Sequence, residues 1–511
     1  MSIETISVYF SEKSVYPKML NQNQTPLIDA LKACTTRPHA PFYTPGHKRG
    51  VGISPLLTDL LGKDVFRADL TELAELDNLF KPENAILAAQ ELAAEAFGAE
   101  KTWFLVNGST CGIEAAILAT CRMGEKIILP RNVHSSVISG LILSGAIPIF
   151  IQPEYDDDLD IAHSITPEAV KAALVKHPDA KAVLTVYPTY YGVCGDLQAI
   201  AKRSVGIAQL THQYNIPLLV DEAHGAHFHF HPELPTSALA AGADLTVQSI
   251  HKTLGAMTQA SMLHIQGNRI DIDRVNKALQ LVQSTSPSFI LLASLDAARQ
   301  QMAINGEKLM FQTLEFAEIA RSQINQIPGL STPLAKREKS PGFINLDKTR
   351  LTVNVSKLGL TGFAAEEILN QMGVTPEFSS LQNLIFIISL GNTKEDINAL
   401  VQGVKSLTQI PQLTSQYNIC KYRNDDKIVH TCCLSPREAF FANSKILPWE
   451  KTEGRICAEI VCPYPPGIPL LMPGELITKA SLDDIQQIAE LGGLITGCAD
   501  ETLKTLKVVD V

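Results

Sequence analysis

Between about residues 85 and 250, short apolar runs alternate with longer amphipathic stretches along the chain. The apolar runs are rich in Ile, Val and Leu and show no polar alternation, which is typical of strands buried on both faces of a sheet. We therefore expect strands at WFLV (103–106), KIILP (126–130), IPIFI (147–151), KAVLTV (181–186) and IPLLVD (216–221).

The amphipathic stretches between these runs carry helix signals. ENAILAAQELAAEAFG (83–98) ends in a glycine, and TPEAVKAALVKH (166–177) begins with Thr166, which can cap a helix, followed by Pro167, which fits its first turn. Alternating strands and helices at this spacing predict right-handed crossovers and an α/β fold, with a mostly parallel sheet covered by helices on both faces. Ligands bind such sheets at the carboxyl ends of the strands.

With 511 residues the chain is too long for one core, so we expect two or three domains. The composition changes at PGLSTPLAKREKSPG (328–342), and a second polar stretch covers residues 408–427. The predicted division is an N-terminal arm (1–40), a large domain (41–300), a small α/β domain (301–410) and a C-terminal domain (411–511).

Two charged residues stand where such a sheet would bind a ligand. The run IPLLVD closes with Asp221, and Lys252 follows in SIHKTLGAMTQASM (249–262), among small and apolar residues. A lysine is usually a surface residue whose ammonium reaches water, so one in this setting needs a reason. Pyridoxal phosphate supplies one, because it needs a lysine for a Schiff base with its aldehyde and a carboxylate to keep its pyridine nitrogen protonated.

The phosphate of that cofactor needs hydrogen-bond donors at the start of a helix. NGSTCGIEAAILAT (107–120) follows a predicted strand, with Gly108 for a close turn and the hydroxyls of Ser109 and Thr110 at a positive helix end. Taken alone, this loop is ordinary helix capping. His134, after the strand KIILP, is placed to stack on a pyridine ring, although a lone histidine there is more often structural.

Composition excludes several other classes of function. The net charge of -10 and a pI near 5.7 give no general attraction for nucleic acid. The N-terminus does not read as a signal peptide and no run is long enough to span a bilayer, so we expect a cytoplasmic protein. Ten scattered cysteines lack a CxxC pair, and Cys194 is the one candidate for a redox role against simple burial. His227, His229 and His231 alternate like one face of a strand, yet a further ligand is missing, so we predict no metal site.

Several motifs, in this order along the chain, resemble those of the Orn/Lys/Arg decarboxylases. They are PFYTPGHKRG, DLTELAELDNL, NGSTCGIEA, RNVHSS, YPTYYG, VDEAHGAH, SIHKTLGAMTQASM and STSPSF. The resemblance runs from about residue 25 to the end, and LSPREAFF and YPPGIPLL bring it nearest to the shorter biosynthetic arginine decarboxylases. It implies the aspartate-aminotransferase fold (fold type I of pyridoxal-phosphate enzymes) with a small α/β domain and a C-terminal α+β domain.

The resemblance also implies a role for each matching residue. Lys252 would form the Schiff base, Asp221 would pair with the pyridinium, Ala223 would pack under the ring and His134 would stack over it. The phosphate would be held by Ser109, Thr110, Ser249, His251 and, from a partner subunit, Thr285. Either Lys252 or His224 would return a proton to the substrate carbon.

The implied activity is decarboxylation of a basic amino acid within polyamine and spermidine biosynthesis, by a homodimer or a larger assembly of dimers. We rank L-arginine, giving agmatine and CO2, before lysine and lysine before ornithine. The acids available for the substrate side chain are Asp69, Glu72, Asp77 and Glu475, but we expect ordinary surface placement for each. Arg350 keeps an aminotransferase open, since those enzymes grip the substrate carboxylate with an arginine, and a non-catalytic binding protein on the same fold is a further alternative.

Overall fold

A seven-stranded sheet forms the centre of the computed structural model, which describes residues 19–199, 205–334, 340–410 and 432–510. Its strands are, in spatial order, β1 (Lys101–Leu105), β10 (Ser261–Ile265), β9 (Leu245–Gln248), β8 (Leu218–Asp221), β6 (Ala182–Val186), β2 (Lys126–Pro130) and β3 (Ile147–Ile151). Strands β9, β8, β6, β2 and β3 are parallel, whereas β10 is antiparallel to both of its neighbours, β1 and β9. The sheet is therefore mostly parallel, as the apolar runs predict.

The remaining strands are β4 (Tyr155–Asp156), β5 (Ile161–Ala162), β7 (Val193–Cys194), β11 (Asn345–Leu346), β12 (Arg350–Asn354), β13 (Phe378–Ser379), β14 (Asn383–Ile387), β15 (Ser444–Pro448), β16 (Cys462–Pro463), β17 (Ile495–Thr496) and β18 (Thr505–Val509).

Helices cover both faces of the sheet, and each face has its own apolar core. The first helices are α1 (Pro26–Thr36), α2 (Pro55–Leu61), α3 (Lys63–Ala68), α4 (Ala85–Phe97), α5 (Gly108–Thr120), α6 (Ser135–Ser144), α7 (Pro167–Lys176) and α8 (Ile207–Gln213). They are followed by α9 (Ile250–Thr253), α10 (Ile272–Val282), α11 (Phe289–Ile324), α12 (Gly362–Gln371), α13 (Lys394–Ser406), α14 (Pro436–Phe441) and α15 (Lys479–Glu490). Short 3-10 helices lie at Phe228–Phe230, Ser356–Leu358, Leu407–Gln409 and Trp449–Lys451.

The helix signals in the sequence work as expected. Thr166 caps α7, its hydroxyl accepting a hydrogen bond from the amide of Ala169 at 3.1 Å, and Pro167 occupies the first turn. Gly98 ends α4 in the left-handed conformation, at φ +71°. Local sequence therefore determines where these helices begin and end.

Helix α11 connects the large sheet to a second, smaller one. Its 36 residues pack in the core beside the large sheet as far as Leu314, and Ala317, Ala320 and Ile324 pack in a separate core under the sheet β12-β14-β13. The predicted boundary at residue 300 falls inside this helix. The division into an arm and three domains stays a prediction.

A buried ion pair joins the C-terminal part of the chain to the large sheet. Arg131, which follows β2, donates from Nε and NH2 to the two carboxylate oxygens of Glu475 at 2.9 and 2.8 Å, and from NH1 to the Pro469 carbonyl at 2.7 Å. Both charged side chains are almost fully buried, at 6% and 1% exposure. The pair fixes the loop between β16 and α15 against the end of β2, where ligands of this fold class bind.

We expect Arg131→Met to lower the free energy of unfolding by about 3–5 kcal/mol, because it removes the cation that faces a buried carboxylate. Lys445, which pairs with Asp510 at 2.7 Å on the surface, provides the matched control. Lys445→Met should cost less than about 1 kcal/mol. Urea unfolding of both variants measures the difference, and equal losses would contradict a special role for the Arg131 pair.

Candidate active site

The carboxyl ends of four strands bring the predicted cofactor residues together. Asp221 ends β8, Ser249 follows β9, His134 lies four residues after β2, and Ser109 lies in the first turn of α5, after β1. These four strands run in the same direction, so their carboxyl ends share one edge of the sheet. Residues spread over more than 100 positions of sequence therefore meet at one place.

Lys252 lies in the short helix α9, beside the end of β9, and its side chain is largely buried. Its Nζ is 3.1 Å from Nε2 of His224, and its amide donates to the Ser249 carbonyl at 3.1 Å. Burial lowers the pKa of Lys252, the charge of Asp221 opposes that effect, and the charge of Arg350 adds to it. The amine is held where its protonated form is disfavoured, as a nucleophilic lysine requires.

Asp221 carries a buried carboxylate at the end of β8, with a residue exposure of 6%. Burial raises the pKa of this carboxyl, while the nearby Lys252 and a hydrogen bond from the Ala223 amide at 3.1 Å lower it. Ala223 is itself buried beside it. A carboxylate held in this way suits a cationic ring nitrogen, whose charge would offset the cost of burial.

His134 presents a neutral ring to the same space. Its Nδ1 accepts a hydrogen bond from the Ser136 amide at 3.1 Å, and burial, with a smaller effect of the Lys252 charge, lowers its pKa to about 4. A Cβ added to Gly467 would lie 3.1 Å from the histidine ring. Gly467 has φ +93°, and its carbonyl accepts from the Ser135 amide at 3.0 Å. The C-terminal loop therefore holds the ring of His134 in place.

The start of α5 offers donors to an anion. Gly108 has φ +75°, as the predicted close turn requires, and no side chain caps the helix. The hydroxyl of Ser249 donates to that of Ser109 at 2.8 Å, so residues from β9 and α5 share one polar point, and Thr110 lies exposed in the same turn. Uncapped amides and two hydroxyls are a donor set that fits a phosphate.

Two glutamines that the sequence analysis missed hold the backbone just before this turn. The Val106 carbonyl accepts from Nε2 of Gln259 at 2.6 Å, and the Val106 amide donates to Oε1 of Gln283 at 3.0 Å. Gln259 adopts φ +83°, a conformation that costs free energy for a residue with a side chain. Both polar groups of Val106 are therefore fixed by side chains from elsewhere in the chain.

The two remaining predicted phosphate residues lie nearby in different settings. His251 donates from Nδ1 to the Ala260 carbonyl at 3.0 Å, which leaves Nε2 for another partner. Thr285 is exposed, and the amide of its neighbour Ser284 donates to the Asn107 side chain at 3.3 Å, beside the start of α5. Its contact with the phosphate bound by a partner subunit stays a prediction.

His224 forms the link between the site and the small sheet. Its Nε2 faces Lys252, its Nδ1 is hydrogen-bonded to NH2 of Arg350, the first residue of β12, and Tyr190 packs edge-on at a ring distance of 5.3 Å. Burial, followed by the charges of Lys252 and Arg350, lowers the pKa of His224 well below its ordinary value. The ring is therefore neutral near pH 7.

None of the four acids suggested for the substrate side chain is free for that purpose. Asp69 contacts His47 at 3.1 Å, and Glu72 accepts from Asn78 and the Leu79 amide. The expectation of surface placement is wrong for the other two, which are buried. Asp77 accepts from backbone amides at the start of α4, and Glu475 binds Arg131.

The three alternating histidines do not lie on a strand, so that interpretation is wrong. Residues 228–230 form a 3-10 helix, and buried His227 contacts Asp347 at 3.2 Å. Within the ranges that the structure describes, no group of three potential metal ligands occurs and no helix is long and apolar enough to cross a membrane. Cys194 is fully buried, and that burial raises its thiol pKa, which favours the inert thiol form.

The residues present therefore fit pyridoxal phosphate. Lys252 is an amine with a lowered pKa, Asp221 is a buried carboxylate, and His134 is a neutral ring held by its neighbours. Ser109 and Ser249 meet at an uncapped helix start. Each group that the cofactor needs has a counterpart at this edge of the sheet.

Comparisons with known proteins agree with the fold and the motifs. The family model described as Orn/Lys/Arg decarboxylase, major domain, matches residues 25–334, and the model of the C-terminal domain of the same family matches residues 421–501. The arginine decarboxylase of Bacillus subtilis (strain 168) is 40% identical over 493 residues, which cover 96% of this chain and 99% of that protein. The arginine decarboxylase of Bacillus anthracis is also 40% identical, over 491 residues covering 96% and 98%.

Among solved structures, the crystal structure of the Francisella novicida lysine decarboxylase LdcF aligns with a TM-score of 0.81 at 22% identity. The alignment covers 95% of this chain and 81% of that one. This likeness concerns the fold and confirms the predicted α/β class.

We expect Gln259→Ala to weaken binding of pyridoxal phosphate about tenfold, because the Val106 carbonyl loses its partner and the start of α5 is no longer fixed. Gln266 is a matched control, since its amide donates to the Leu239 and Ala243 carbonyls outside the site. Fluorescence titration with the cofactor measures both affinities. Equal affinities for the two variants would contradict this role of Gln259.

Proposed function

The chain belongs to the Orn/Lys/Arg decarboxylase family, and from that membership we propose that it converts L-arginine to agmatine and CO2 with pyridoxal phosphate as cofactor. The resemblance predicted from the motifs is thereby confirmed. Agmatine is a precursor of polyamines, which places the proposed reaction in polyamine biosynthesis. A location in the cytoplasm stays a prediction.

The observation that carries the proposal is the placement of Lys252 and Asp221 on adjacent strand ends. Each affects the charge of the other, since Lys252 lowers the pKa of Asp221 and Asp221 raises that of Lys252, in both cases against the larger effect of burial. When bound, pyridoxal phosphate supplies a conjugated ring that accepts the electron pair left behind as CO2 departs. Lys252 would bind its aldehyde and Asp221 its ring nitrogen.

The surrounding residues would orient the cofactor. His134 would lie against one face of the ring, held by Ser136 on one side and Gly467 on the other. Ser109 and Ser249 would donate to the phosphate at the start of α5. Because these contacts come from four different strand ends and the C-terminal loop, the ring would be fixed in one orientation.

Arginine as substrate rests on the two Bacillus relatives, which are named arginine decarboxylases and match nearly the whole chain. Lysine is the second candidate and ornithine the third. A guanidinium is best recognised by a carboxylate that can accept two hydrogen bonds. The small domain provides such a group in Glu377, which the sequence analysis did not single out.

Glu377 precedes β13 at the edge of the small sheet. The ring of its neighbour Phe378 packs on Tyr190 at 6.4 Å, and Tyr190 packs on His224. The charge of Glu377 opposes the burial that lowers the pKa of Lys252. Its side chain is exposed and makes no hydrogen bond or ion pair with the described residues. An available carboxylate near the lysine supports a basic substrate.

The aminotransferase alternative rested on Arg350. In the structure, NH2 of this arginine donates a hydrogen bond to Nδ1 of His224. An arginine that is hydrogen-bonded to a histidine supports the aminotransferase class less than an arginine that faces open space beside the lysine would. The non-catalytic alternative is disfavoured because Lys252 and Asp221 are both present and adjacent.

A homodimer is part of this proposal. Helix α2 (PLLTDLL) buries none of its residues, and Leu56 and Leu60 are 83% and 76% exposed. An apolar helix face of this kind is typical of a subunit contact. Thr285, exposed beside the start of α5, would lie near such a contact if it completes the site of a second subunit.

We expect the purified protein with pyridoxal phosphate to release agmatine from L-arginine, and to act at least about tenfold less efficiently on lysine and ornithine. Chromatography of the amine products measures the preference, with Lys252→Ala as the inactive control. Cadaverine or putrescine as the main product would keep the chemistry and overturn the substrate. A keto acid without CO2 would move the protein to the aminotransferases.

We expect Glu377→Gln to raise the KM for arginine about tenfold or more with a smaller effect on kcat, because it removes one charge of a guanidinium pair. Glu367, an exposed acid of α12 in the same domain, gives the control variant Glu367→Gln. Steady-state kinetics separate the two. An unchanged KM in Glu377→Gln would exclude this residue from substrate recognition.

A further inference from the structure

Arg350 is a buried arginine that hydrogen-bonds to a histidine. Its residue exposure is 1%, and NH2 donates to Nδ1 of His224. Nε and NH1 have no hydrogen-bond partner among the residues that the structure describes. Burial lowers the pKa of this guanidinium although the charges of Asp347 and Glu377 oppose that effect, so its direction toward a histidine next to the proposed catalytic lysine calls for a functional reason.

The contact fixes which nitrogen of His224 carries the proton. A guanidinium has only donors, so Nδ1 must accept and therefore carries no hydrogen. A neutral imidazole has one N–H, which must then be at Nε2. A doubly protonated ring would place the N–H of Nδ1 against the N–H of Arg350, and burial already disfavours that form.

The tautomer of His224 in turn determines the protonation state of Lys252. The N–H at Nε2 of His224 faces Nζ at 3.1 Å, so Nζ must be the acceptor of this hydrogen bond. An ammonium has three donors and no lone pair, whereas the neutral amine has one. The hydrogen bonds from Arg350 to His224 and from His224 to Lys252 can therefore both form only when Lys252 is unprotonated.

We propose that Arg350 is a positioning residue that acts through His224 to hold Lys252 as the free amine. The proposal rests on the proposed function in one respect, the role of Lys252 as the residue that binds the cofactor's aldehyde. The family resemblance assigns no joint role to His224 and Arg350.

The charged and titratable groups that face Lys252 are Asp221, Glu377, Arg350, His134, His224 and His251. The two carboxylates favour the ammonium, and burial and Arg350 oppose them. The three histidines have lowered pKa values, first because of burial, and are neutral near pH 7. Without the His224 contact, only burial and the charge of Arg350 would oppose the effect of the two carboxylates on Lys252.

The free amine matters for chemistry because its lone pair is what attacks an aldehyde. It can also take up a proton beside the substrate and release it again. His224 lacks this ability in the arrangement seen here, since loss of the Nε2 proton would leave an anionic ring. Lys252 would therefore transfer the proton and His224 would orient it, a choice between two residues that sequence reasoning left open.

The test measures the reactivity of Lys252 directly, in the full chain freed of cofactor. Trace acetylation with acetic anhydride over a range of pH, read by peptide mass spectrometry, gives the pKa of each lysine. Exposed Lys63 is the internal reference. We expect Arg350→Gln to raise the pKa of Lys252 by about one unit, so that its labelling near pH 7 falls about tenfold. Arg350→Lys, which keeps a donor-only cation, should restore most of the labelling.

A double-mutant cycle separates transmission through His224 from the direct effect of the charge. The direct effect of the Arg350 charge on Lys252 remains in a His224→Phe background, so Arg350→Gln should there change the labelling of Lys252 by only about twofold. The same tenfold loss with and without His224 would overturn the proposal, because the charge would then act through space. No change in the single variant Arg350→Gln would overturn it as well.

A measurement on the unmodified chain covers the case in which the Arg350 variants fail to fold. Nitrogen-15 NMR of histidine-labelled protein distinguishes the two tautomers, and the signal absent from His224→Phe identifies His224. We expect a bare Nδ1 and a protonated Nε2, and the reverse assignment would overturn the proposal. Both measurements precede any cofactor or substrate, so their result stands whichever amine the product assay finds.

Discussion

The site depends on keeping one lysine amine largely out of water next to a buried carboxylate. Burial disfavours the charged form of both groups, and their mutual attraction recovers only part of that cost. Such a pair persists only where surrounding structure holds it. The parallel strands do so at one end, because β8 and β9 are adjacent and deliver Asp221 and Lys252 to the same edge. Much of what surrounds the pair can be understood as support for it.

That support comes from all parts of the chain. The buried pair of Arg131 and Glu475 fixes the C-terminal loop in position. Gly467 of this loop packs against the ring of His134. The small sheet contributes Arg350, which reaches His224 from the other side. Two segments beside the large sheet fix the backbone before α5 through glutamine side chains. The site is thus built from regions whose apolar cores are separate, so movement between these regions would alter it.

Sequence patterns predicted the parts of this arrangement that depend on local order. The bounds of β2 and β3 match the apolar runs 126–130 and 147–151, and residues at strand ends meet as α/β topology requires. Strands β9 and β10 received no prediction: β9 is four residues long and mixes Thr and Gln with its apolar positions. The histidines 227, 229 and 231 show the opposite failure, since an alternating pattern occurred where the chain forms a 3-10 helix.

The remaining features are contacts between distant positions. Arg350 meets His224 across 126 residues and Glu475 meets Arg131 across 344, and no local pattern marks either pair. Gln259 is recognisable only by its backbone conformation, and Glu377 only by its position at the edge of the small sheet. Sequence reasoning therefore fails for a polar residue whose partner lies far away along the chain, even when motifs identify the family.

The most direct test of the central claim is to reduce the holoenzyme with borohydride and map the modified peptide by mass spectrometry. If Lys252 forms the Schiff base, we expect the pyridoxyl group to be attached to Lys252 and to no other lysine. Attachment elsewhere, or no covalent attachment in a protein that still binds the cofactor, would contradict it.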